Sequence, residues 1–393
     1  MVSQRMRELG TARSVIRELF EYGKKRAAVV GEENVFDFSL GNPSVSPPPQ
    51  VNETACRLLT ENPEWIHGYT SAQGDVKVRE AFADSLNRRF RSRYTADNFY
   101  VTAGAAAALC CVFHGLTCPG DEFVAIAPYF PEYKVFVEGA GATLKVVPPD
   151  REGFQIDFDA LASILTPHTK GVIVNSPNNP TGVVYSATTI CQLADLLTEK
   201  SREFGHPIYL ISDEPYREIV FPGVTVPWLP ACYPDTIVCY SFSKSLSLPG
   251  ERLGYVLVPK EVTDSGDVYA AVAGAGRSLG YVNAPSLFQQ VTARCCDLTA
   301  DLETYRKNGE ILSNALGELG FHIVPPQGAF YLFPRTLEPD DLSFSRRAKE
   351  FDLLLVPGTG FGAPGHVRIS YCVPTERILR SIPKFRALAA SYR

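Results

Sequence analysis

The sequence has little of what marks an exported, membrane-spanning or nucleic-acid-binding chain. Positive charge is not in excess: 38 Lys and Arg stand against 43 Asp and Glu, for a formal charge of -5. That leaves nothing spare to grip a phosphate backbone or an anionic membrane surface, so neither nucleic acid nor membrane is expected as a partner. The most apolar run, residues 103–118, is shorter than a bilayer span and contains His114 and two glycines. The first ten residues carry Arg5, Arg7 and Glu8 with no apolar stretch behind them, so no export signal is expected. Among the 10 cysteines there is no C-x-x-C pair, and Cys110 and Cys111, like Cys295 and Cys296, are adjacent. Reduced, buried thiols in a cytoplasmic protein without a structural metal site are the expectation. A disordered composition is missing too, with 45% hydrophobic and 21% charged residues.

What is present reads as a folded α/β chain. At 393 residues it exceeds what one core usually supports, and a division into two domains is expected. Residues 1–45 are read as an N-terminal arm and part of a small domain, 46–285 as the large ligand-binding domain, and 286–393 as a long linking helix followed by the C-terminal small domain. Seven β-rich runs alternate with helix-compatible segments: Phe99–Thr102, 122–127, Thr143–Val147, 171–175, 208–212, 236–240 and 253–258. They predict a mostly parallel seven-stranded sheet with helices on both faces. Only about a dozen residues separate the last two runs, too few for a helical crossover, so one antiparallel strand is expected. A continuous helical pattern covers 286–319, and strands at 321–324, 329–333, 353–356 and 366–370 would build a smaller α+β domain.

Candidate chemistry gathers at strand ends, where open α/β sheets bind ligands. Tyr240-Ser241-Phe242-Ser243-Lys244, with Arg252 eight positions on, sets two hydroxyls and a guanidinium around an amine. Such a set can hold an anion beside a nucleophile, and a lysine near fixed positive charge loses its proton and forms imines. Asp213-Glu214-Pro215-Tyr216 follows an apolar strand, so that a carboxylate closes it. Asn178 and Asn179 lie in a Pro/Gly-rich turn after 171–175, where turn chemistry alone would explain them and a side-chain amide donor is the alternative. Gly104, Ala105 and Ala106 stand where a helix begins, a place whose free N–H groups favour phosphate. Phe130, in Ala127-Pro-Tyr-Phe-Pro-Glu-Tyr133, is read either as a core aromatic or as a ring that stacks on a ligand.

In order and spacing these landmarks, together with Gly41 in Leu40-Gly41-Asn42-Pro43, Tyr69 in Gly68-Tyr69-Thr70 and Arg368 in Val367-Arg368-Ile369, resemble the class I/II aminotransferases of fold type I over nearly the whole chain. The resemblance implies pyridoxal 5'-phosphate as cofactor and a ping-pong aldimine/pyridoxamine cycle that moves an amino group from an L-amino acid to a 2-oxo acid. It implies Lys244 as the imine-forming residue and base, Asp213 at the ring nitrogen, and Asn179 with Tyr216 at the phenolic oxygen. Phosphate would be held by the backbone of Ala105 and Ala106, by Ser241, Ser243 and Arg252, and by Tyr69 from a neighbouring subunit, which implies a homodimer. Arg368 would grip the substrate carboxylate, helped by Asn179 and the backbone near Gly41. Residues 105–108 are all alanine, without the lysine that one aspartate-preferring subgroup carries there, so a dicarboxylic preference is not implied. A carbon–sulfur β-lyase, or another elimination or decarboxylation on the same scaffold, is the competing reading. A cofactor-sensing transcription regulator is not expected, because no basic DNA-binding module precedes Gly41.

Overall fold

The computed structural model describes residues 2–11, 15–150 and 152–392. After a short strand β1 (Phe36–Asp37) come seven strands of one sheet: β2 (Phe99–Thr102), β3 (Glu122–Ile126), β4 (Thr143–Val147), β5 (Thr169–Asn175), β6 (Tyr209–Asp213), β7 (Thr236–Ser241) and β8 (Gly254–Leu257). Their order is β2-β8-β7-β6-β5-β3-β4. All neighbours are parallel except at β8, which runs antiparallel to both β2 and β7, as the short connection before it predicts.

The sheet is covered on both faces, and strand periodicity shows how. Successive side chains point to opposite sides. On β3, Phe123 and Ala125 join a cluster with Leu109 and Val112 of the helix Ala105–Leu116 and Val272 of the helix Ser265–Ser278. Val124 and Ile126 join the opposite cluster with Leu193 and Leu197 of the helix Ala187–Phe204. On β6, Ile211 belongs to the first cluster and Leu210 to the second. Each such Leu, Ile or Phe, once fully buried, contributes about 1.5–3 kcal/mol. Among the described residues no helix is long and apolar enough to cross a membrane.

The remaining strands are β9 (Tyr331–Leu332), β10 (Leu353–Leu354), β11 (Val356–Pro357) and β12 (Val367–Ser370). β11, β12 and β9 form a small antiparallel sheet in that order, and β1 pairs in parallel with β10. The N-terminal segment is thereby stitched to the C-terminal part of the chain.

Three expectations need correction here. The helix predicted over 286–319 is two helices, Ser286–Cys295 and Leu302–Glu318. Asp301 ends the continuity by accepting hydrogen bonds from the backbone N–H groups of Glu303 and Thr304, an N-cap that starts a new helix. No strand forms at 321–324, because Pro325 and Pro326 follow at once and neither can donate to a ladder. The run 353–356 is not one strand but two, β10 and β11, each with a different partner.

Candidate active site

The periodicity that covers the sheet also aims the candidate residues. Asn175, Asp213 and Ser241 end β5, β6 and β7 in step with Ile173, Ile211 and Ile237, so they face the side covered by the helix Ala105–Leu116. In the register Asp213 lies between Asn175 and Cys239. A cavity of about 540 Å³ opens beyond these strand ends, lined among others by Asp213, Tyr216, Ser241, Ser243, Lys244, Arg252 and Arg368.

Asp213 is buried, and its Oδ2 accepts a 2.5 Å hydrogen bond from the Tyr133 hydroxyl. Its Oδ1 has no partner. Burial pushes the carboxyl up to about 7, and the Tyr133 hydrogen bond only partly opposes that. A buried carboxylate oxygen with no donor is costly unless the site supplies one. Asn175 steadies the strand end: its Nδ2 donates to the Asp213 carbonyl at 2.8 Å, and its Oδ1 accepts from the Asn179 backbone at 2.7 Å.

Lys244 follows β7 in the one-turn helix Phe242–Ser245, which begins at Ser241, whose hydroxyl accepts from the Ser243 N–H. Its Nζ donates to the Gly41 carbonyl at 2.6 Å. Burial lowers the ammonium to about 8; the sulfur of Cys372 pulls the other way, and the positive charges of Arg252 and Arg368 add to the lowering. An ammonium lowered this far has a neutral fraction at ordinary pH, and a neutral amine is able to act as a nucleophile or a base.

Beside it lies an anion cradle. Gly104 caps the helix Ala105–Leu116 at φ 82°, a left-handed conformation that favours glycine. A Cβ there would sit 2.8 Å from Arg252 Nη2, so glycine is also what lets the guanidinium approach the helix start. The Ser241 and Ser243 hydroxyls are 2.7 Å apart, and Arg252 reaches Ser243 Oγ at 3.4 Å. Helix N–H groups, two hydroxyls and a guanidinium together suit a phosphate.

On the other side of the cavity Arg368, on β12, is buried. Its Nη1 donates to Asn179 Oδ1 at 3.0 Å, its Nη2 donates to the Ser39 carbonyl, and its Nε has no partner. Tyr331 lies below the guanidinium and shares a 2.8 Å hydrogen bond with the Tyr216 hydroxyl. A Cβ on Gly41 would overlap the Tyr331 hydroxyl, which explains glycine at that position.

Of the residues singled out in the sequence, Gly41, Ala105, Ala106, Phe130, Asn179, Asp213, Tyr216, Ser241, Ser243, Lys244, Arg252 and Arg368 line this one cavity, and Gly104 adjoins it. Tyr69 does not: it is 98% exposed and absent from the cavity wall. Sequence reading missed Tyr133, Asn175 and Tyr331, and also Ile16, Arg17 and Phe20 of the helix Val15–Val30. Tyr133 and Asn175 stand inside segments already picked out, but nothing local marks their side chains as partners of residues in other strands.

Comparison with known proteins shows which family the chain belongs to. The model of the family "Aminotransferase class I and II" matches residues 33–383. An amino transferase from Eubacterium rectale, known from a crystal structure, is 56% identical, with a TM-score of 0.98 over 100% of this chain and 99% of that one. The aspartate/prephenate aminotransferase of Thermus thermophilus is 32% identical over 355 residues, 88% of this chain and 89% of its own. The aspartate aminotransferase structure from Thermotoga maritima is 30% identical, with a TM-score of 0.86 over 98% of this chain and 99% of that one. The chain therefore belongs to the class I and II aminotransferases, and it is a transaminase.

Proposed function

We propose that this transaminase works with pyridoxal 5'-phosphate, moving the amino group of an L-amino acid to a 2-oxo acid in ping-pong fashion. The observation that carries the reading is one pair: a lysine amine held near neutrality and a carboxylate with an unpartnered oxygen meet in one cavity from neighbouring strands. The residues fit the group. Asp213 Oδ1 needs a donor, which a protonated pyridine nitrogen provides, and the cradle of Gly104, Arg252 and the two serines suits its phosphate. When bound, pyridoxal phosphate supplies an electrophilic carbon and a ring that draws electrons from the substrate Cα.

The chain's own residues do the rest. Lys244 would be the residue that holds the cofactor carbon, and its amine would be the base placed to take the proton from the substrate Cα. Ionised Asp213 would keep the ring nitrogen protonated. Asn179 accepts from Arg368 through Oδ1, so its Nδ2 would be left for the phenolic oxygen, to which the Tyr216 hydroxyl, bonded to that of Tyr331, would also donate. Phe130, which lines the cavity, would cover one face of the ring. Ala105 and Ala106 N–H groups, Ser241, Ser243 and Arg252 hold the phosphate. Arg368 takes the substrate α-carboxylate in a planar fork, with Gly41 next to it. Tyr69, a fully exposed aromatic near half-exposed Trp65, belongs to a surface that a second copy covers, and the working unit is a homodimer.

Lys244→Ala tests the core of this. We expect the visible absorbance of the cofactor-loaded protein to change and turnover to fall by at least about 10³-fold, with the fold intact by circular dichroism. An unchanged spectrum removes Lys244 from its role. A carbon–sulfur lyase would show itself by releasing ammonia and pyruvate instead of passing the amine to a 2-oxo acid.

A further inference from the structure

Beyond the cofactor and α-carboxylate positions, the cavity has an outer part that has no role so far. Its wall is the helix Val15–Val30, which is held in place by a buried residue: Leu19 is 1% exposed and packs among Val35, Leu354 and Phe361. Gly23, one turn on, lies so close to Leu354 and Asp37 that a larger residue there would force their side chains to shift. With that face anchored, Ile16 and Phe20, four residues apart and thus neighbours on the helix surface, line the cavity. Leu40, Leu109 and Pro249 line it from three other segments. The outer wall is thus largely aliphatic and aromatic.

Charge points the same way. The cofactor phosphate and the substrate α-carboxylate already claim Arg252 and Arg368. A dicarboxylic substrate needs a further cation, and with Lys244 committed to the cofactor the one left along this wall, among the described residues, is Arg17. It shares the wall with Glu132, whose carboxylate would repel a second carboxylate placed near it. The helix start at Ala105 and Ala106 adds no cation.

From this we infer that the amino donors are L-amino acids with a large apolar side chain, of the size of leucine, methionine or phenylalanine, seated against Ile16 and Phe20. The inference rests on the transaminase reading and goes beyond it, since several relatives are named for aspartate. An apolar pocket gains from each buried methylene, whereas a carboxylate placed there loses its water without a paired cation.

The test mixes the pyridoxal-phosphate-loaded enzyme with leucine, methionine, phenylalanine, alanine, aspartate and glutamate in separate half-reactions, followed by absorbance. Leucine, methionine or phenylalanine should exceed aspartate and glutamate by about tenfold or more in kcat/KM. Titration calorimetry supplies a readout independent of turnover: 3-phenylpropionate should bind the loaded enzyme more tightly than succinate. Phe20→Ala should lower kcat/KM for phenylalanine about tenfold more than for alanine. Aspartate or glutamate reacting fastest, tighter binding of succinate, or an equal loss for phenylalanine and alanine in Phe20→Ala would each overturn the assignment while leaving the transaminase standing. Conversion by none of the amino acids would instead remove the transaminase reading, and this inference with it.

Discussion

Asp213 and Glu214 are adjacent carboxylates, both buried, and they behave oppositely because one residue of strand register turns them to opposite sides. Asp213 faces the cavity with one oxygen held by Tyr133 and the other free. Glu214 faces the protein: its Oε1 accepts from Ser212 at 2.5 Å, and it forms an ion pair with Arg217, whose guanidinium lies 4.2 Å from the centre of the Trp228 ring. Arg89 and Glu218 add a second pair nearby, and the Tyr240 hydroxyl bridges Glu218 to Ser245, next to Lys244. On the inner side each charge faces an opposite charge of the same chain, while Nε and Nη1 of Arg217 make no hydrogen bond. On the cavity side the balance is left for a ligand to complete. A group whose electrostatic needs are met by its own fold serves stability, and one whose needs are unmet is available for chemistry.

The largest expected effect breaks the inner side. Arg217→Ala leaves Glu214 buried without its partner, which should cost about 3–5 kcal/mol of stability. The melting temperature should fall steeply whether or not pyridoxal phosphate is bound. A fall of under 1 kcal/mol in urea titrations would mean that the pair is not the support described here.

The next effect belongs to the cavity side and shows in pH. In the cofactor-free protein Asp213 titrates near 7, against 3.8 when exposed. The folded state therefore keeps a proton that the unfolded chain has released. The stability from this group is complete below about pH 4 and is lost as pH rises through 7, at about 1.4 kcal/mol per pH unit. Asp213→Asn imitates the protonated form at every pH, so it should match the parent at pH 4 and exceed it at pH 8. Glu214→Gln should leave this slope in place. Adding pyridoxal phosphate to the parent should flatten it, since a protonated ring nitrogen would hold Asp213 ionised. A slope that survives Asp213→Asn would assign the titration to another group.

How far all this could be read from the chain depends on range. Asp213, Lys244 and Arg252 were legible because short runs of sequence place them at strand ends, and strand ends in such sheets are where ligands bind. The seven sheet strands were legible because each is a compact apolar run between turns. The small domain was legible in part: the strands expected at 329–333 and 366–370 contain β9 and β12, whereas β1, two residues long, is too short for any periodicity and exists because a distant strand pairs with it. The division of 286–319 was legible in principle, since Asp301 two residues before Glu303 is a helix start, but the apolar pattern continues across it. Tyr69 marks a different limit, because the partners that the resemblance implies for it would belong to another copy of the chain.

Tyr133 shows what neither local pattern nor spacing reveals, and it carries the smallest of the effects. It stands 80 residues before Asp213 and meets it only because β3 and β6 both flank β5 in the sheet. Burial, then the Asp213 charge, keeps its hydroxyl well above the usual tyrosine range, so it remains a donor throughout the working pH range. A hydrogen bond to a charged group is worth about 1.5–3 kcal/mol, or one to two units of pKa. Tyr133→Phe removes a bond that favours the ionised carboxylate, so in cofactor-free protein the upper edge of the Asp213 window should move upward by about one pH unit. Pyridoxal phosphate should then bind more weakly near neutral pH and recover as the pH is raised, because Asp213 must first lose its proton to pair with the ring nitrogen. If the stability profile of Tyr133→Phe superimposes on that of the parent, the hydroxyl only fills space, and the ionisation of Asp213 is governed by burial and the cofactor alone.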